Sequence, residues 1–170
     1  IKTDVRGGVL RIGFEREKWQ DVIVPTKPIK FTLSVKGLTS VESTGLGSIH
    51  TSALATQRLN VKLSGAGSVK LENVDATTVS TLVAGAGSIE LSGKTNEQSV
   101  TLSGLGSYRA GDLSSKKAAI TVSGAGSATM WANDTLDITI TGAGSVNYYG
   151  SPVIAKKITG LGSVKSLGVK

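Results

Sequence analysis

Apolar and polar residues alternate with a period of two along most of this chain, and the alternation is tied to a recurring tetrapeptide, Gly-Ala/Leu-Gly-Ser. Four and two residues before its first glycine stand Val61 and Leu63, Val100 and Leu102, Ile120 and Val122, and Ile138 and Ile140, with Lys62, Thr101, Thr121 and Thr139 between them. Past the serine the chain is apolar at Ile49, Val69, Ile89, Tyr108, Val146 and Val164, then polar at His50, Lys70, Glu90, Arg109, Asn147 and Lys165. Period two with β-branched enrichment predicts strands. Ahead of the first tetrapeptide, Val9–Phe14, Val22–Val24 and Ile29–Val35 also read as strands, punctuated by Pro25 and Pro28. The reading is all-β.

The glycine pairs of the tetrapeptide are Gly45 and Gly47, Gly65 and Gly67, Gly85 and Gly87, Gly104 and Gly106, Gly124 and Gly126, Gly142 and Gly144, and Gly160 and Gly162. First glycines are spaced by 20, 20, 19, 20, 18 and 18 residues. A unit this short is too small for a propeller blade of about 40 residues, and it lacks the Asn-Gly turns of a hairpin array. The remaining solution is a single-stranded parallel β-helix, a solenoid of about seven turns of 18–20 residues stacked roughly 4.8 Å apart. Glycines at its corners would admit unusual backbone angles and close approach between turns. The residue between them (Leu46, Ala66, Ala86, Leu105, Ala125, Ala143, Leu161) is expected to face inward at a corner, as its apolar monotony favours, although a strand running straight through would by parity put it outside; the serines can form a hydroxyl ladder. Residues 1–170 then form one domain, with 1–40 as opening strands that cap the rod and 41–170 as the repeat turns. The last turn, uncovered at Lys170, is expected to expose a sheet edge and favour self-association through rod ends or faces.

Composition removes whole classes of function. Without cysteine there is no disulfide framework, thiolate metal site or cysteine nucleophile, and His50 is the only histidine. No metal site and no cofactor is expected. No apolar run approaches the roughly 18 residues of a membrane helix. Ile1 opens a polar stretch without a signal peptide, so an export signal is expected outside this sequence. The glycine blocks match neither Gly-x-Gly-x-x-Gly nor a Walker loop, and the six aspartates are too scattered for a calcium-binding β-roll.

The net charge of +7 is dispersed, with doublets only at Lys116-Lys117 and Lys156-Lys157. It attracts polyanions in general, but aromatics are not interleaved with it, which argues against specific nucleic-acid binding. The polar column after the serine is mixed, with no carboxylates on adjacent turns, so no catalytic residues are assigned. Thr101, Thr121 and Thr139 fall in register as a short hydroxyl array, interrupted by Leu82 and Lys157 and too small for an ice-binding face. Trp131 and Tyr149 each lie four residues after a repeat serine, which stacks them on adjacent turns. Two readings stay open: a platform for a sugar ring, or a cover over the core near the end of the rod. Met130 and Tyr148 precede them in an inward column.

With the residues so arranged, the chain resembles a bacterial family described as putative auto-transporter adhesin, head GIN domain. The carriers are the Ser-Gly-Ala-Gly-Ser-Val type blocks at Ser64–Val69 and Ser123–Ala128, the early strand Gly8-Val9-Leu10-Arg11-Ile12, and the closing Tyr148-Tyr149-Gly150-Ser151-Pro152. The resemblance covers essentially the whole chain. It implies a right-handed parallel β-helix that is exported and sits in the periplasm, outer membrane or cell surface. Family members usually carry earlier strands and an export or lipoprotein signal, so Ile1 begins inside the family pattern. The function expected is a non-enzymatic binding, adhesion or structural module whose faces meet envelope or cell-surface glycans. The alternatives are a carbohydrate-active β-helix acting on acidic polysaccharide and a self-associating building block.

Overall fold

A computed structural model describes residues 1–13 and 29–170, which form two units, Ile1–Ser34 and Val35–Lys170. The expected strand at Val22–Val24 lies outside the described residues. No helix among the described residues is long and apolar enough to cross a membrane.

In the first unit, β1 (Lys2–Arg6) and β2 (Val9–Gly13) pair antiparallel, with Arg6 opposite Val9. The connection is Gly7-Gly8, with φ of 57° and 77°. Two consecutive positive-φ residues make the primed turn whose twist matches a hairpin, and glycine adopts it without steric cost. This segment is therefore a hairpin and not a turn of the solenoid. The strand expected at Ile29–Val35 does not form; that stretch is exposed and irregular.

The second unit is a parallel β-solenoid of about seven turns, as expected. Its strands are β3 (Ser40–Ser43), β4 (Ser48–Thr51), β5 (Leu54–Leu63), β6 (Ser68–Val83), β7 (Ser88–Leu102), β8 (Ser107–Val122), β9 (Ser127–Ile140), β10 (Ser145–Tyr149), β11 (Val153–Ile158) and β12 (Ser163–Ser166). Each central turn is nearly one continuous strand from the repeat serine to two residues before the next glycine. Pairing is parallel throughout, serine over serine: Ser68 with Ser88, Ser88 with Ser107, Ser107 with Ser127, Ser127 with Ser145, Ser145 with Ser163. The positions named as apolar form the core, including Val61, Leu63, Val69, Ile89, Leu102, Tyr108, Ile120, Ile140 and Val146.

Alternation does not stop at the tetrapeptide; it runs through. Leu63, Gly65, Gly67 and Val69 share the inward parity, so the Ala/Leu column between the glycines falls outside. Leu46, Leu105 and Leu161 are 85%, 71% and 91% exposed, and the alanines of the column are exposed too. The expectation that this column packs inward is thus wrong, and the glycines hold the inward places instead.

Their role is close approach alone. None of the fourteen repeat glycines has a positive φ. From Gly65 to Gly162, a Cβ on any of the twelve would lie 2.0–2.7 Å from a glycine carbonyl oxygen of the preceding turn. The second glycine also leaves room for the aliphatic side chain below it: a Cβ on Gly106 would meet Val83, and one on Gly144 would meet Val122. Turns are joined here by serine amides. Ser68, Ser88, Ser107, Ser127, Ser145 and Ser163 each donate N–H to the second glycine of the turn before, at 3.0–3.3 Å. Among the described residues, the expected ladder of repeat-serine hydroxyls is not formed.

Candidate functional site

Each turn has a second corner, four to five residues past the repeat serine, and here the turns differ. The fourth residue runs Ser52, Glu72, Ser92, Gly111, Trp131, Tyr149, Leu167. The fifth takes positive φ at Asn73 (48°), Gly93 (126°), Gly150 (100°) and Gly168 (93°). Strand register shifts at this corner between Leu71 and Val74, Glu90 and Ser92, and Ala110 and Ser114. Bulges of this kind let a strand re-aim its side chains.

Trp131 and Tyr149 meet at this corner as expected, paired across β9 and β10, and both are half-buried. Met130 beneath them is fully buried and Tyr148 packs against the core. The Trp131 ring is oriented by its Nε1–H, which donates to Asn133 Oδ1 at 2.9 Å, while Asn133 Nδ2 donates to Ser114 Oγ at 3.2 Å. Tyr149 lies over Gly111, where a Cβ would stand 3.0 Å from Tyr149 Cε2.

The backbone under Trp131 is anchored from inside. Its carbonyl accepts Ser115 Oγ–H at 2.6 Å and Gln98 Nε2–H at 3.1 Å. Gln98 Nε2 also donates to Ser115 Oγ at 2.7 Å, and its Oε1 accepts the Tyr108 hydroxyl at 3.1 Å. Burial pushes the Tyr108 hydroxyl far above the ordinary tyrosine range, so it stays protonated and serves as a donor. Gln98 and Ser115 are buried, and a satisfied polar chain of this kind rigidifies what it touches.

Sequence reasoning did not find what lies on the rings. After β12 the chain returns over the corner: Leu167 N–H donates to Tyr148 O at 2.8 Å and Gly168 O accepts Gly150 N–H at 2.9 Å. Lys170 then places its ammonium 4.8 Å from the Tyr149 ring centroid and 5.7 Å from that of Trp131. The same nitrogen donates to Gly111 O at 2.8 Å and to the Asp112 carboxylate. The column positions of Trp131 and Tyr149 were readable from the repeat. Those of Lys170 and Asp112 were not, because Lys170 follows the last strand beyond the left-handed Gly168 and Asp112 stands where the strand register shifts.

A second polar cluster occupies the opposite half of the rod. Lys70 Nζ lies 3.0 Å from Glu72 Oε1 and 3.2 Å from Glu90 Oε1, and His50 Nε2 lies 3.1 Å from Glu72 Oε2. Glu72 comes from the fourth-residue column, so the mixed second-residue column did not reveal it. Hydrogen bonds from Lys70 and then His50 hold its carboxyl below the usual range. A general acid needs the opposite shift, and this exposed group has the properties of a surface ion-pair network.

Comparison with known proteins bears on this architecture. No curated protein matches the sequence. A solved structure of a putative adhesin from Bacteroides fragilis aligns with TM-score 0.91 at 24% identity, covering 98% of this chain and 76% of that one. A putative adhesin from Parabacteroides distasonis gives 0.74 at 22% identity, covering 75% and 55%. A putative lipid binding protein from the same species gives 0.61 at 23%, covering 75% and 60%. At these identities the likeness concerns the fold. Residues 1–152 match the model of the family described as putative auto-transporter adhesin, head GIN domain. That match spans well over half of the sequence, and the chain belongs to this family.

Proposed function

We propose that this protein is a non-enzymatic binding module of the bacterial envelope or cell surface, and that the Trp131–Tyr149 corner engages a glycan. The observation that carries the reading is the aromatic pair on adjacent turns, set on a backbone that Gln98 and Ser115 hold from within. Flat aromatic faces stack on the apolar face of a pyranose, and a stiff support lowers the ordering cost of binding. The family description as an adhesin supports a binding role and an extracytoplasmic location. The chemistry of the described surface favours binding over catalysis, since the carboxylates clustered around Lys70 are ion-paired and Glu72 is held toward its ionised form.

The test is a binding screen against envelope and host glycans, peptidoglycan and lipopolysaccharide included, at low and high salt, beside Trp131→Ala and Tyr149→Ala. The expected result is salt-resistant binding that disappears in both variants while circular dichroism shows them folded. Binding that is only salt-sensitive, and unchanged in the variants, would reduce the module to a charged structural rod.

A further inference from the structure

The rings of Trp131 and Tyr149 are already in contact with a ligand-like group, and that group is a primary ammonium. Lys170 brings three N–H donors to the corner. One goes to Gly111 O at 2.8 Å and one to the Asp112 carboxylate, leaving the third toward the aromatic faces. Two aromatic faces, a carbonyl and a carboxylate around one nitrogen are the elements of a cation site, in which ring quadrupoles and hydrogen-bond acceptors act together. A quaternary ammonium would satisfy the rings but give no hydrogen bond to Gly111 or Asp112. A neutral amide would lose the charge term at both rings and at Asp112.

The tether that delivers Lys170 is slight. Beyond the Gly168 carbonyl that Gly150 holds, only Val169, which is exposed, separates the lysine from the paired backbone. The lysine can leave these partners by rotation about its own side-chain bonds, a fast and local motion.

We propose that Lys170 is an internal stand-in, and that the corner takes a sugar bearing a free amino group, whose ring stacks on Trp131 and Tyr149 while its ammonium displaces that of Lys170. This rests on the glycan reading above and narrows it to de-N-acetylated amino sugars. The net charge of +7 repels a cationic saccharide at long range, so any affinity must arise from the local acceptors.

The experiment is calorimetric titration of the protein and of Lys170→Ala with three probes: a glucosamine tetramer, an N-acetylglucosamine tetramer and n-butylammonium. The glucosamine tetramer is expected to bind Lys170→Ala at least tenfold more tightly than the parent, because the competing lysine is gone. Adding Asp112→Asn to Lys170→Ala should abolish that gain. Equal binding of the two tetramers would overturn the ammonium assignment while leaving the glycan platform standing. Binding of n-butylammonium without either tetramer would overturn the amino-sugar assignment, as would silence from all three probes, while the glycan reading stands or falls on the wider screen above.

Discussion

The two corners of each turn obey opposite rules. At the Gly-x-Gly-Ser corner seven turns are nearly copies of one another, and the backbone is packed so closely that from the second turn on a side chain on either glycine would strike the carbonyl below. At the other corner the fourth residue changes from turn to turn and the backbone takes several forms. It holds an ion-paired glutamate at Glu72, a left-handed asparagine at Asn73, a bulge at Gly111–Asp112 and the aromatic pair. Repetition here marks what stacking requires, and departure from repetition marks where individual side chains make contacts of their own.

The comparison breaks most visibly at the first corner. Gly85→Ala puts a methyl 2.0 Å from Gly65 O and within 3 Å of two further backbone carbons, none of which can move alone. A loss of more than about 4 kcal/mol is expected, enough to abolish soluble expression of a marginally stable domain. Ala86→Ser, one residue on but outward, should change the urea midpoint by no more than about 0.5 kcal/mol equivalent. If both variants behave alike, the close-packed corner is not what holds the turns in place.

How far the sequence reaches follows from the same contrast. Seven-fold recurrence exposed the solenoid, its register and its inward aliphatic columns, because stacking turns that sharing a pattern must superpose it. The orientation of the Ala/Leu column is not legible from the glycines alone: an inward place needs a corner that resets parity, whereas strand alternation continues through the tetrapeptide. Glycine was credited with conformational freedom at the wrong corner; positive φ occurs at Asn73, Gly93, Gly150 and Gly168 instead. At the candidate site, the pairing of Trp131 with Tyr149 was legible because both obey the period. Lys170 and Asp112 were not, because neither position follows from the stacking rule.

The second corner gives smaller effects that sharpen the difference. Ser115→Ala removes the hydroxyl between Gln98 and the Trp131 carbonyl, leaving a buried amide short of an acceptor. A cost of about 1–3 kcal/mol is expected in chemical denaturation, with the fold retained. Gly111→Ala meets only the rim of the Tyr149 ring at 3.0 Å and Thr129 Cγ2 at 3.2 Å, side-chain atoms that can yield. Stability should change by no more than about 1 kcal/mol, while the ring shifts and the Tyr149 resonances move in NMR spectra.

The smallest effect concerns Glu72. Its carboxyl is held below the usual value of 4.5 by Lys70 and His50, so the folded chain binds fewer protons there than the unfolded chain does in acid. The stabilisation is present above that value and is lost as pH falls through the lower, folded one. Glu72→Gln should therefore flatten the acid limb of a stability–pH curve by slightly lowering the neutral-pH plateau, with stability below the folded value close to unchanged, as measured by thermal melts across that range. A steeper acid limb in the variant would show that Lys70 and His50 do not favour the ionised form.

The seat that each corner glycine offers to the next has a consequence for length. A corner is built from the corner before it and asks nothing of turns farther away, while differences of one or two residues per turn are taken up at the bulges. Duplicating or deleting a turn would preserve every seat and shift the end of the molecule by roughly 4.8 Å. The length of the stack thus becomes a quantity that duplication of a turn can adjust in equal steps, independently of the residues at the variable corner.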